Sequence, residues 1–187
     1  VEGEKMAKSK GNFFTLRDLL AQGHDPLAIR YLLLSVPYRQ KLNFTFDGLH
    51  AAAQAIERIT NTLRRLHTTP PADGDGDLPP AAVAAYRDEL RAGLGDDLNT
   101  ARALAALHTL LRQVNTALDG RGLGAAARRA VAEALDETRH VLDVVPELEA
   151  GRGSDDADIQ ALVEARTTAR AERRFADADA IRGQLAE

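Results

Sequence analysis

The chain has 187 residues, 44% hydrophobic and 28% charged, enough apolar material for one ordinary domain or two small ones, which excludes a wholly disordered chain. It has no cysteine, hence no disulfide framework, thiolate zinc site or cysteine nucleophile; it has no apolar run near the roughly 20 residues that cross a bilayer and no basic-then-apolar start, so it reads as cytoplasmic with no membrane partner. The net charge of -4, from 24 basic and 28 acidic residues, leaves any nucleic acid to be met by local patches rather than a global positive field.

The start at Val1 hints at a piece of a longer protein. Six of the eight Phe and Tyr residues (Phe13, Phe14, Tyr31, Tyr38, Phe44, Phe46) fall in the first quarter, and only Tyr86 and Phe175 follow. The two parts must therefore pack differently. Beyond Phe46, Ala, Leu, Arg and Glu/Asp dominate, good helix formers of little bulk, so an all-α helical bundle is expected.

In chain order, Thr15 followed by Asp18 caps a short helix through Leu19 and Leu20 that Gly23 stops. Asp25-Pro26 starts another, with Leu27, Arg30, Tyr31 and Leu34 carrying the period until Pro37. The clearest helix places Leu49, Ile56, Ile59, Leu63 and Leu66 on one face and ends near His67. Thr69 to Pro80 (TPPADGDGDLPP) carries no period and reads as a solvated linker. Ala81 to Ala92 is helical, GLGDD (Gly93 to Asp97) interrupts, and Leu104, Leu107, Leu111, Val114 and Leu118 mark a second long amphipathic helix. After a turn at Asp119 to Gly124, Val131, Leu135, Val141, Leu142 and Val145 mark a partner running back, so the two are expected to form an antiparallel hairpin. A polar linker, Pro146 to Asp156, leads to a last helical segment with Ile159, Leu162, Val163, Ile181 and Leu185. The organisation expected is a loop and contact region over 1–46, a helical bundle over 47–150 with a linker at 69–80, and a linker with terminal helices over 151–187.

One stretch has residue types suited to a reaction. Gly3 to Phe14 (GEKMAKSKGNFF) sets Lys5, Lys8 and Lys10 beside a serine and two glycines, in a segment too polar to be a core element. Such a loop can wrap ammonium groups and backbone amides around a polyphosphate; a solvated basic loop is the alternative reading. The five histidines lack ligand spacing, so no metal site is expected. Asp96-Asp97, just before a helix, reads as a pair of N-terminal caps rather than catalytic carboxylates, with Asn99 ordering the turn.

Lys5-Met6-Ala7-Lys8-Ser9 resembles the KMSKS signature of class I aminoacyl-tRNA synthetases, with Ala7 in place of a serine. The continuation through Gly11-Asn12-Phe13-Phe14-Thr15, Arg17-Asp18, Asp25-Pro26, Arg30 to Ser35, Tyr38-Arg39 and Leu42-Asn43-Phe44 resembles the cysteinyl-tRNA synthetases. Asp96-Asp97-Leu98-Asn99-Thr100, Ala103-Leu104, and Arg166, Ala169-Arg170, Phe175, Ala178-Asp179 and Ile181-Arg182 extend the resemblance over nearly the whole chain. The family's nucleotide-binding fold, with its HIGH signature and zinc site, is absent from the sequence, and Tyr38-Arg39 stands where a histidine is common, which puts a role for that position in doubt.

The resemblance implies the C-terminal part of a cysteine–tRNA ligase, an enzyme that activates cysteine with ATP and Mg and passes it to tRNA(Cys). Lys5 and Lys8 would be catalytic, neutralising charge that grows on the α-phosphate, and Lys5, Met6, Lys8 and Ser9 would hold ATP. Lys10 reads as a solvated neighbour. Zinc would belong to the upstream domain, with no cofactor bound by this piece, which is expected to be inactive alone. Arg30, Arg39, Lys41, Arg58, Arg64 and Arg65 are candidate contacts to tRNA phosphates. Against this stand an ion pair of Arg30 with Asp18 or Asp25, and a solvated helix face for Arg58, Arg64 and Arg65. Arg170, Arg173 and Arg174 are interleaved with acids and read as solvated. Two other functions fit parts of the chain: a ligase joining cysteine to a small amino-sugar acceptor, and a non-catalytic helical adaptor.

Overall fold

A computed structural model describes residues 1–148 together with 165, 166 and 177. The expected linker beyond residue 148, the last helical segment, and Arg170, Arg173 and Arg174 lie outside the described residues. The described chain is all-α: α1 (Leu16–Ala21), α2 (Pro26–Leu34), α3 (Phe46–Thr68), α4 (Pro80–Gly95), α5 (Thr100–Asp119) and α6 (Ala125–Leu142).

Local chemistry sets most boundaries. Thr15 and Asp18 form a reciprocal capping box: the Thr15 hydroxyl accepts from the Asp18 amide at 3.2 Å, and the Asp18 carboxylate accepts from the Thr15 amide at 2.8 Å. The Asp25 carboxylate accepts from the Leu27 amide at 2.8 Å, with Pro26 in the first turn of α2. Thr45 caps α3 through the Gly48 amide.

The uneven aromatics mark two cores. Leu19, Ala28, Ile29, Leu32, Leu49 and Ala52 are buried beneath Phe14, Phe44 and Phe46. The Phe14 and Phe46 rings meet edge to face at 5.3 Å and 86°, Phe44 and Phe46 at 5.7 Å and 82°. The second core is aliphatic, built on Ile56, Ile59, Leu107, Leu110, Val114, Val131 and Leu135, with Tyr86 its one fully buried aromatic; the Tyr86 hydroxyl is hydrogen-bonded to that of Thr138. α3 runs through both, its first turns in the small core and the remainder in the large one.

Four expectations need correction. Residues 69–80 are not a solvated linker: the Ala72 amide donates to Leu123 O and the Asp77 amide to Gly122 O, both at 2.9 Å, and Leu78 is buried. Asp77 also accepts from the Arg121 amide at 2.7 Å and pairs with its guanidinium at 2.5 Å. The segment thus closes against the α5–α6 turn, where Gly124 lets the chains touch: a Cβ there would lie 2.0 Å from Gly74 O. Second, α4 does not stop before Gly93 but runs to Gly95, because Gly93 seats the helix on α5; a Cβ would lie 3.2 Å from both Ala103 N and Asn99 O. Third, α5 lies closest to α4, and α6 packs on α4, so the tight hairpin is α4–α5 rather than α5–α6. Fourth, Val141 faces solvent, while its neighbour Leu142 is buried.

Candidate functional site

The lysine loop is held by groups around it. The Asn12 side chain spans its first half: Oδ1 accepts from the Ala7 amide at 2.8 Å, and Nδ2 donates to Lys5 O at 3.2 Å. Lys8–Lys10 form one turn of 3-10 helix, and Gly11 follows at φ +67°, a left-handed position that glycine takes without Cβ strain. The strand-like stretch before α3 anchors the loop's base: the Glu2 amide donates to Phe44 O at 2.8 Å, the Gly3 amide to Asn43 Oδ1 at 2.8 Å, and the Phe46 amide to Glu2 Oε1 at 2.9 Å. Asn12 and Asn43 stand in the stretches that carry the resemblance but had no role there, and Glu2 was not singled out. A lone amide carries no signal until its partners are known.

Within this frame Lys10 is paired with Glu4 at 2.8 Å. Lys5, Met6 and Ser9 are exposed. A Lys5 ammonium on a backbone pinned by Asn12 offers a movable positive charge on a fixed base, an arrangement able to follow a phosphate whose charge is changing.

The basic candidates separate. Arg30 pairs with Asp143 at 3.3 Å, not with Asp18 or Asp25, and both partners are exposed. Arg39 pairs with Asp97 at 2.5 Å, and the Tyr38 hydroxyl donates to that carboxylate at 2.9 Å. Together, Arg39 first and Tyr38 second, they hold the Asp97 carboxyl below its ordinary range. Asp96 and Asp97 are therefore not the caps of α5; Asn99 is, its side chain accepting from the Arg102 amide at 3.1 Å. Lys41 is exposed. Arg64 donates to Asn61 at 3.0 Å, and Arg65 to Asn115 at 2.7 Å and Asp119 at 2.5 Å.

Arg58 and Arg65, seven residues apart on one face of α3, line a cleft of about 360 Å³ against α5, with Asn61, Thr62, His108, Arg112 and Asn115 among its walls. Of the sequence candidates only these two share it. Arg112 and His108 were missed, although their spacing with Asn115 traces a polar stripe beside the apolar one of α5. His108 Nε2 meets the Tyr31 hydroxyl of α2 at 2.6 Å. Burial, then Arg58 and Arg112, push the His108 pKa below its ordinary value, and burial raises that of Tyr31. Among the described residues no three His, Asp or Glu side chains converge to hold a metal ion, and no helix is long and apolar enough to cross a membrane.

A family profile described as tRNA synthetases class I (C) catalytic domain matches residues 1–54, and one described as DALR domain matches residues 89–145. The chain is 48% identical over 186 residues to a cysteine–tRNA ligase of Solibacter usitatus (strain Ellin6076), covering 99% of this chain and 40% of that protein. It is 38% identical over 215 residues to one of Koribacter versatilis (strain Ellin345), covering 100% and 43%, and 43% identical over 193 residues to one of Alkalilimnicola ehrlichii (strain ATCC BAA-1101 / DSM 17681 / MLHE-1), covering 100% and 40%. The chain thus spans about two fifths of the length of the curated relatives it matches.

Proposed function

The chain belongs to the cysteine–tRNA ligase family, and from that premise we propose that it supplies the ATP-facing lysine loop and the tRNA-facing helices of an enzyme that activates cysteine and transfers it to tRNA(Cys). The observation that carries this reading is the Asn12 clamp on Lys5 and Ala7, with Lys10 neutralised by Glu4. A merely solvated basic loop has no need of a side chain that fixes the backbone on both sides of Met6.

In the reaction so read, the carboxylate oxygen of cysteine attacks the α-phosphorus of ATP, the bond to the bridging oxygen breaks, and pyrophosphate leaves with that electron pair. Lys8, assisted by Lys5, meets the charge that builds on the phosphate oxygens more strongly at the transition state than before it. Met6 and Ser9 contribute to holding the nucleotide. The acyl group then passes to the terminal ribose hydroxyl of the tRNA, and AMP leaves. Magnesium would travel with the ATP. Zinc has no fitting set of ligands among the described residues. Translation places the enzyme in the cytoplasm.

Contacts to the tRNA are assigned to Arg30, Arg39, Lys41, Arg58, Arg64 and Arg65, within a division into a loop and stem-contact region over 1–46, a bundle over 47–150 and terminal helices over 151–187. Of these arginines, Arg58 is the freest to meet a phosphate, since Arg30, Arg39 and Arg65 each already hold a carboxylate. The helical stretch after residue 46 favours a tRNA over a small amino-sugar acceptor.

The test is single-turnover adenylate formation in an enzyme of full family length carrying this chain. Lys8→Ala is expected to slow the step by about a hundred- to a thousandfold, the scale of one preorganised donor, while Lys10→Ala changes it little. Equal losses for Lys8 and Lys10 would refute the assignment. The chain alone is expected to give no cysteine-dependent exchange of ATP and pyrophosphate, because positioning of both substrates supplies much of the rate.

A further inference from the structure

Most arginines of the described bundle have a partner, while Arg17, Arg64 and Arg129, like Arg58 and Arg112, have no carboxylate within ion-pair distance among the described residues. Arg30, Arg39, Arg65, Arg87, Arg91, Arg102, Arg121 and Arg139 all stand within ion-pair distance of a carboxylate. Arg128 is turned to the backbone oxygens of Leu66 and Pro70. The cleft between α3 and α5 is where two such arginines line one space. Among the described residues Arg58 has no carboxylate partner, and Arg112 bonds only to the Thr109 hydroxyl, at 3.2 Å. No acidic side chain lines this cleft. Its remaining polar wall is already arranged: Asn115 donates to Thr62 Oγ1 at 2.8 Å and to Leu111 O at 3.0 Å, and its own oxygen accepts from Arg65. Arg65 is thereby fixed as wall, with Asp119 balancing its charge, while the exposed Arg58 and Arg112 carry guanidinium groups that no carboxylate engages among the described residues.

We infer that this cleft is a phosphate-binding site, in which the guanidiniums of Arg58 from α3 and Arg112 from α5 are the ligands and His108 is the third donor on its wall. The chemistry is that of two forked cations lining one cleft from facing helices, each able to give two N–H bonds to a tetrahedral oxyanion. The inference rests on the proposed tRNA-facing role of α3 only for the source of the phosphate, a polynucleotide backbone; a free oxyanion has the same recognition chemistry.

His108 makes the site readable. The charged and titratable groups around it are Tyr31 from α2, Arg58 and Arg65 from α3 and Arg112 from α5, all neutral or positive. Burial and then the two arginines disfavour the imidazolium of His108, whose Nε2 is hydrogen-bonded to the Tyr31 hydroxyl. An oxyanion between the arginines reverses the sign of the local field and favours the imidazolium. In the imidazolium Nε2–H donates to the Tyr31 oxygen, so the link to α2 survives. Binding therefore takes up a proton, and by linkage it is tighter below the His108 midpoint and weakens as pH rises through it.

The test follows the histidine C–H resonances of the 187-residue chain by NMR, the His108 signal being identified by its loss in His108→Gln. Sulfate is the first probe because it does not titrate in this range, with sodium chloride at equal ionic strength as comparator; a 12-base-pair RNA duplex is the second. Sulfate is expected to raise the His108 midpoint where chloride does not. Arg58→Gln and Arg112→Gln are each expected to weaken sulfate binding by about tenfold or more, as for a lost charge-assisted hydrogen bond. Arg129→Gln, exposed on α6, should leave it unchanged. The duplex should produce the same shift and compete with sulfate. A response to sulfate without one to the duplex supports the site and overturns the polynucleotide source. No sulfate-specific shift of His108, or a shift that persists in both arginine variants with unaltered melting temperatures, overturns the site itself.

Discussion

Arg39 and Asp97, 58 residues apart in the chain, are joined by two hydrogen bonds, Nε to Oδ2 at 2.5 Å and a terminal guanidinium nitrogen to Oδ1 at 3.3 Å. Tyr38 donates to the same carboxylate, and nearby the Thr100 hydroxyl donates to Leu34 O at 2.6 Å. The end of α2 is in this way tied to the α4–α5 connection. Asp97 and Leu98 hold left-handed backbone angles there, φ 50° and 54°, which non-glycine residues adopt at a cost and which the tertiary bonds maintain.

The pair sets a pH dependence. Asp97 has its carboxyl held below the ordinary 3.8, chiefly by Arg39 and then by Tyr38. A depressed folded-state pKa contributes stability that is fully present above the unfolded value and is lost as pH falls through the folded one. The melting temperature is expected to drop as pH is taken from about 5 to below 3.8, and Asp97→Asn should remove part of that slope. Asp18 and Asp77 titrate in the same direction, so the comparison is the slope of the variant against that of the parent. Both partners are exposed, and added salt should shrink the difference. Identical slopes would show that the pair adds nothing to folding.

The docked segment before α4 gives a steric prediction. Gly124→Ala introduces a Cβ 2.0 Å from Gly74 O, and Gly76→Ala one 2.3 Å from Gly122 O with φ +69° besides. Each obstacle is backbone, so a side chain cannot swing aside. Gly124→Ala is expected to destabilise by about 1–3 kcal/mol, the range for overpacking, in urea unfolding followed by circular dichroism. Gly95→Ala, open within 4 Å, should not. A neutral Gly124→Ala would return 69–80 to the status of a solvated linker.

What the sequence showed and what it hid divide along physical lines. The Thr15–Asp18 capping box and the α3 stripe of Leu49, Ile56, Ile59 and Leu66 were legible because both are local: a cap closes over three residues, and a stripe is a period. TPPADGDGDLPP looked like solvent-exposed chain because Pro, Gly and Asp are the composition of turns, whether or not the turns are docked. Docking also required Gly124, a separate glycine 44 or more residues on, whose meeting with Gly74 no local pattern announces. Asp96, Asp97 and Asn99 are all good cap residues, so type could not choose among them; the choice fell to Asn99 because Arg39 and Tyr38 took Asp97. The loop signature was legible as a resemblance, its Asn12 clamp was not, and Arg112 was hidden because only the fold brings α5 beside Arg58 of α3.

Gly93 and Asn99 test the α4–α5 seam. Ala in place of Gly in a helix interior would gain about 1 kcal/mol from propensity alone, but at Gly93 the new methyl meets Ala103 N and Asn99 O at 3.2 Å, backbone atoms that cannot yield separately. The expected sign is therefore destabilising, with a loss of about 1–2 kcal/mol net of propensity. Asn99→Ala removes the α5 cap and should cost about 1 kcal/mol, whereas Asp96→Ala should stay within about 0.5 kcal/mol. If Asp96→Ala proved the costlier of the two, the cap would be misassigned.

The last prediction concerns Asn12, which touches no substrate in the proposed reaction and acts through the loop. Its oxygen takes the Ala7 amide and its nitrogen gives to Lys5 O, so Asn12→Ala frees the backbone on both sides of Met6. Asn12→Asp keeps the acceptor, loses the donor and sets a carboxylate oxygen against the Lys5 carbonyl. In an enzyme of full family length, Asn12→Ala is expected to slow adenylate formation by about tenfold, less than loss of a direct donor, with tRNA affinity and melting temperature unchanged. Asn12→Asp should be at least as slow, because its negative charge also lies beside a lysine that must meet phosphate. Glu4→Gln, which releases Lys10 but leaves the clamp, should have little effect. The decisive comparison is between the two amide-loss variants. A structural role alone would lower the melting temperature in parallel with the rate. A positioning role lowers the rate with folding intact, and a normal rate in Asn12→Ala would show that the lysines find the phosphate without the clamp.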